Sequence, residues 1–66
     1  MKIIIFGTGS TAEIALKKIN KEIDILAVSD NNEEKWDKLW NNYKVISPSE
    51  INKYDYDYIL ICSMFT

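Results

Sequence analysis

An α/β fold, a parallel sheet of four strands in the order 3-2-1-4 set between two layers of helix, is what this 66-residue sequence predicts. Three observations carry the expectation. The apolar run Ile3-Ile4-Ile5-Phe6 passes directly into Gly7-Thr8-Gly9 and then into a helical pattern, which reads as strand, tight turn and helix N-terminus. A second apolar run, Ile25 to Ser29, ends in the turn residues Asp30-Asn31-Asn32; strand, helix and strand in about 30 residues make one right-handed βαβ unit with adjacent parallel strands. A late run, Ile59-Leu60-Ile61-Cys62, supplies a further strand.

Taken in order, Lys2 to Phe6 is apolar on both faces, as a central parallel strand covered on each side must be. Ser10 stands three residues before Glu13, the spacing of a capping box, and Ala12, Ala15, Leu16, Ile19 and Ile23 continue at helical intervals, predicting a helix over about residues 10 to 20. Glu33 to Tyr43 carries Trp36, Leu39, Trp40 and Tyr43 at i, i+3, i+4 and i+7, one face of an amphipathic helix with acidic residues in its first turn. Lys44-Val45-Ile46 is a short third strand at an edge. Pro48 to Lys53 fits a short helix capped by Ser47, with proline in its first turn. Tyr54-Asp55-Tyr56-Asp57-Tyr58 then alternates aromatic and acidic residues ahead of the fourth strand; tyrosines so placed pack their rings and leave their hydroxyls wet.

Composition narrows the function. At 47% hydrophobic and 27% charged residues the chain is that of a single globular domain, and a domain this small buries only about 60% of its unfolded surface. Its apolar runs are too short to span a bilayer and no signal-peptide pattern precedes the first strand, so a cytoplasmic location and no membrane partner are expected. The net charge is −2 and the cations are lysines spread from Lys2 to Lys53, without the basic stripe that nucleic acid requires. Histidine and arginine are both missing. The first removes the commonest general base, and the second the usual partner of an NADP 2′-phosphate. The serines have no His partner, the acidic pairs read as solvated charges, and Cys62 is a lone, buried, inert thiol, so neither a catalytic constellation nor a metal site emerges.

The chemistry-bearing stretch is the glycine turn. Gly7-x-Gly9-x-x-Ala12 follows a strand and opens a helix. Gly7 permits the turn, Gly9 lets backbone approach a pyrophosphate, and Ala12 lets the helix pack closely. Thr8 and Ser10 complete the loop. Asp30, eighteen residues beyond Ala12, can accept hydrogen bonds from ribose hydroxyls, as in NAD rather than NADP sites. Glu13 is expected to compete for the same helix N–H groups through the capping box, and no basic residue is expected to back the turn.

Phe6-Gly7-Thr8-Gly9-Ser10, the segment Ile25 to Trp36, Val45-Ile46-Ser47-Pro48-Ser49-Glu50-Ile51 and Tyr56 to Ser63 together resemble the N-terminal Rossmann-like, CoA-binding-type domain of bacterial sugar-modifying proteins. Relatives of that kind precede nucleotide-sugar dehydratases and epimerases, sugar O-acyltransferases, and some methyltransferases or glycosyltransferases. The resemblance implies a three-layer Rossmann-like half-domain over residues 1–66, truncated where a full domain would continue. It implies that Gly7, Thr8, Gly9, Ser10 and Asp30, with Ser63 and Met64 at the mouth of the fourth strand, hold NAD or a nucleotide-sugar such as a UDP-sugar. The expected function is a non-catalytic nucleotide-binding module in polysaccharide or sugar metabolism. The alternative is a ligand-free interaction or remnant domain. An apolar fourth strand at the sheet edge further predicts a homodimer, or docking on a larger enzyme.

Overall fold

The computed structural model describes residues 1–62. It contains a five-stranded sheet and one α-helix. The strands are β1 (Lys2–Phe6), β2 (Asp24–Ser29), β3 (Leu39–Trp40), β4 (Tyr43–Ile46) and β5 (Tyr58–Ile61), and the helix is α1 (Ser10–Lys18). Their order across the sheet is β3-β4-β2-β1-β5. β1 pairs in parallel with β2 and β5, β2 in parallel with β4, and β3 antiparallel with β4. This mixed sheet corrects the expected four-stranded, all-parallel, three-layer Rossmann-like architecture.

The difference arises between residues 33 and 46. The helix expected over Glu33 to Tyr43 is replaced by a single 3-10 turn, Glu33–Lys35, and a β-hairpin. Asn41 and Asn42 both adopt left-handed φ, at 50° and 68°. Two successive such residues close a two-residue hairpin with the twist its strands require, and asparagine tolerates that region better than most side chains. Trp40 and Tyr43 thereby become direct cross-strand partners. Side chains three apart share a face across the reversal much as they would along a helix, so helical spacing is mimicked without a helix. Asp37, also left-handed at φ 64°, donates its N–H to Val45 O while Val45 N–H donates to Lys38 O. Two residues therefore oppose one, a bulge that ends the ladder. With β3 outside it, β4 is an interior strand and not the expected edge.

Each sheet face carries its own core. On one, Ile3, Ile5 and Val28 meet Ala12 of α1 and the buried Cys62, flanked by Leu16, Ile19, Trp40 and Tyr43. On the other, Ile4, Ala27 and Ile46 pack on Ile51 of a 3-10 segment (Pro48–Lys53), with Tyr54 and Tyr56 alongside. The pairing of β1 with β2 slips by one residue, from Ile3↔Ile25 to Ile4↔Ala27. The inserted Leu26 joins Ala27 on the second face. Tyr54 and Tyr56 do pack, whereas Tyr58 is exposed. Asp57 is structural: its carboxylate accepts the Lys2 N–H and its own N–H donates to Lys2 O. No helix among the described residues is long and apolar enough to cross a membrane.

Candidate functional site

The glycine turn stands at the carboxyl end of β1. Gly7 has φ 112°, a conformation an L side chain rarely tolerates, and its N–H donates to Ser29 O at 2.7 Å. That bond ties the end of β1 to the end of β2. Gly9 is the helix N-cap at φ −85°, ψ −166°, with no side-chain cap bond. A Cβ built on Gly9 meets nothing within 4 Å. Left-handed backbone therefore explains Gly7, whereas neither backbone nor packing explains Gly9.

The expected capping box does not form, because the helix begins one residue too early for it. Ser10 is the first helical residue and not its cap. Glu13 turns away, its Oε1 accepting from Asn41 Nδ2 of the hairpin tip at 2.6 Å. Glu13 N–H bonds Gly9 O in the first helical turn. The preceding N–H groups are the ones that helical geometry leaves without an intrahelical acceptor.

Asp30, just past β2, faces the same turn. Its Oδ2 accepts the Thr8 hydroxyl at 2.7 Å and its Oδ1 accepts Asn32 N–H at 2.8 Å. Lys35 Nζ donates to Thr8 Oγ1 at 2.9 Å and lies 4.0 Å from Asp30 Oδ2. Burial alone would raise the Asp30 pKa. The Asn32 N–H, the Thr8 hydroxyl, the Lys35 ammonium and the Thr8 N–H outweigh it and hold the carboxyl below the ordinary aspartate value. Asp30 is thus ionised and anchored. Trp36 fixes this arrangement by donating its indole N–H to Asp30 O at 2.6 Å, and Asn32 caps the 3-10 turn by accepting Glu34 N–H.

Between this network and the hairpin lies a cavity of about 200 Å³ lined by Thr8, Lys35, Lys38, Leu39, Trp40 and Val45. The lining is thus one indole, two aliphatic side chains, a threonine and two lysines. Such a lining suits a flat apolar ring attached to an anion.

The structure therefore gathers Gly7, Thr8, Gly9, Ser10 and Asp30 around the ends of β1 and β2. Ser63 and Met64 fall outside the described residues. Lys35, Lys38 and Trp40 were missed from sequence, and the expectation that no basic residue backs the turn is corrected by the Lys35 bond to Thr8. No local signal reveals them: Trp40 belongs by its spacing to a packed stripe, and Lys35 and Lys38 are two among lysines spread along the chain. Cys62 is 5% exposed, and burial pushes its thiol pKa up, as suits an unreactive core residue. Among the described residues no cluster of His, Cys, Asp and Glu could hold a metal ion.

Comparison with known proteins separates this chain from the family it resembles in motif. No curated protein and no solved structure matches it. The likeness to the CoA-binding-type domain of sugar-modifying proteins is overturned by a match to a different family across the whole length, residues 1–66. A glycine turn between strand and helix answers a local backbone requirement and recurs on many folds, so it identifies none of them. The chain belongs to the C2185-like, N-terminal family.

Proposed function

We propose that this domain binds a nucleotide, NAD or a nucleotide-sugar, with its phosphates over the Gly7–Ser10 turn and its base toward the Trp40 cavity, and that it catalyses no reaction by itself. The observation that carries the reading is the open space over Gly9. Its backbone suits any residue and no atom crowds it, so the absence of a side chain there favours close approach by a ligand at the N-terminus of α1. The helix dipole favours an anion at that place.

Gly9→Asp tests the reading because its two effects have opposite sign. Aspartate is a good N-cap and complements the dipole, so stability should hold or rise by about 0.5 kcal/mol. The same carboxylate would occupy the phosphate position and abolish binding. Titration of labelled protein with NAD and UDP-glucose, followed by the Gly7, Gly9, Ser10 and Asp30 amides, reads binding, and urea denaturation of both chains reads stability. Unmoved amides at millimolar ligand would refute the proposal.

A docking role, through a second copy or a larger enzyme, is favoured by one feature. β5 forms a sheet edge whose Tyr58 and Ile61 are 63% and 70% exposed, with Ile59 and Leu60 also open. Sedimentation across concentration distinguishes a self-associating domain from a stable monomer.

A further inference from the structure

We infer that, over NAD or a nucleotide-sugar, this nucleotide site prefers a ligand whose ribose carries a phosphate, as an adenosine 2′- or 3′-phosphate does, and that Lys35 and Lys38 hold that phosphate. The inference rests on the nucleotide-binding reading and specifies the nucleoside end of the ligand. An aspartate ending the second strand ordinarily accepts hydrogen bonds from a bare ribose diol. Here each Asp30 oxygen already has a protein donor, Thr8 on one and Asn32 on the other. The carboxylate holds the turn in place and keeps acceptor capacity for a ribose hydroxyl beside the phosphate.

Charge at the cavity points the same way. Lys35 and Lys38 both line it, and Asp30 is the carboxylate within reach of Lys35. Among the described residues the ion pairs of lysine are those of Lys2, Lys35 and Lys44, and Lys38 forms none. Two cations set against one anion leave the cavity with a net positive charge before any ligand enters. Glu33 and Glu34 are exposed on the neighbouring 3-10 turn and do not line the cavity. Lysine binds phosphate as a compact point charge, so the absence of arginine is no obstacle. Leu39, Trp40 and Val45 supply an apolar wall for the purine beside that phosphate.

The test compares AMP, adenosine 2′,5′-bisphosphate and adenosine 3′,5′-bisphosphate, with NAD and NADP as the larger pair, by calorimetry and by quenching of tryptophan fluorescence. At least one bisphosphate should bind about tenfold more tightly than AMP, with steeper salt dependence, and its identity distinguishes the 2′ from the 3′ position. Lys38→Gln, at a lysine with no ion pair among the described residues, should weaken the bisphosphate more than AMP, and adding Lys35→Gln should erase the preference. Both lysines are exposed, and an unchanged amide spectrum verifies that the variant folds. Equal affinity for AMP and both bisphosphates, or a preference that survives both substitutions, overturns the inference and leaves nucleotide binding standing. Failure of every nucleotide to bind at millimolar concentration overturns both.

Discussion

β1 and β5 are nearly the same sequence signal, KIIIF and YILI, and they lie side by side in parallel register. Ile4 and Ile5 of β1 are fully buried, whereas every residue of β5 is exposed along its length. β1 has a strand on each side, α1 over one face and the 3-10 segment over the other. Among the described residues β5 has one neighbour, and it ends on the buried Cys62, whose N–H donates to Phe6 O. An apolar run thus reports strand propensity, and its place in the sheet decides what burying it contributes.

The sharpest way to break that comparison is to shorten the same side chain in both strands. Ile5→Ala should cost about 3–4 kcal/mol. The total stability expected of 66 residues is only roughly 3–10 kcal/mol, so urea titration should find this variant stripped of about a third of its stability or more. A cost as small as that of an edge substitution would remove β1 from the centre of the core.

Smaller effects belong to the opposite edge. Asn42→Val places a β-branched residue at a left-handed φ and should lose about 1–2 kcal/mol, while Asn42→Gly should be neutral or stabilising. Equal stability of the two variants would argue against the two-residue turn. It would also restore the helix as a reading of this segment.

The Asp30 network is sharpened by acid. Its folded pKa lies below the unfolded value, so its contribution is fully present above the unfolded pKa and is lost as pH falls through the folded one. The stability difference between the native chain and Asp30→Asn should therefore be constant near neutrality and shrink below about pH 4. A difference that persists unchanged in stronger acid would place the effect in packing instead of charge. Smallest of all, Ile61→Ala on β5 should alter stability by less than about 0.5 kcal/mol, since the side chain it removes is already mostly in water.

Particular residues show where sequence reasoning reached and where it stopped. The strand of Lys2–Phe6, the turn at Gly7, the helix from Ser10 and the strand ending at Ser29 are each marked by a local property. Continuous β-branched residues favour extended backbone, and glycine alone is at ease at φ 112°. The stretch from Glu33 to Tyr43 has no such unambiguous mark. A stripe at i, i+3, i+4 and i+7 is satisfied by a helix, yet Trp40 and Tyr43 meet equally well across a two-residue reversal. Asn41-Asn42 is the turn-forming chemistry inside that stretch, and the four-residue apolar pattern runs straight across it.

What the sequence determined by itself is the organisation around the glycine turn: an apolar strand, a residue forced into left-handed backbone, and a helix whose N-terminus opens beside it. What only the tertiary structure decided is the mixed five-stranded sheet, the exposure of β5 and the placing of Lys35, Lys38 and Trp40 against Thr8. The physical reason is range. Backbone preference acts within a few residues and is written at each position, whereas the charge beside a turn depends on where a chain 27 residues away reverses direction.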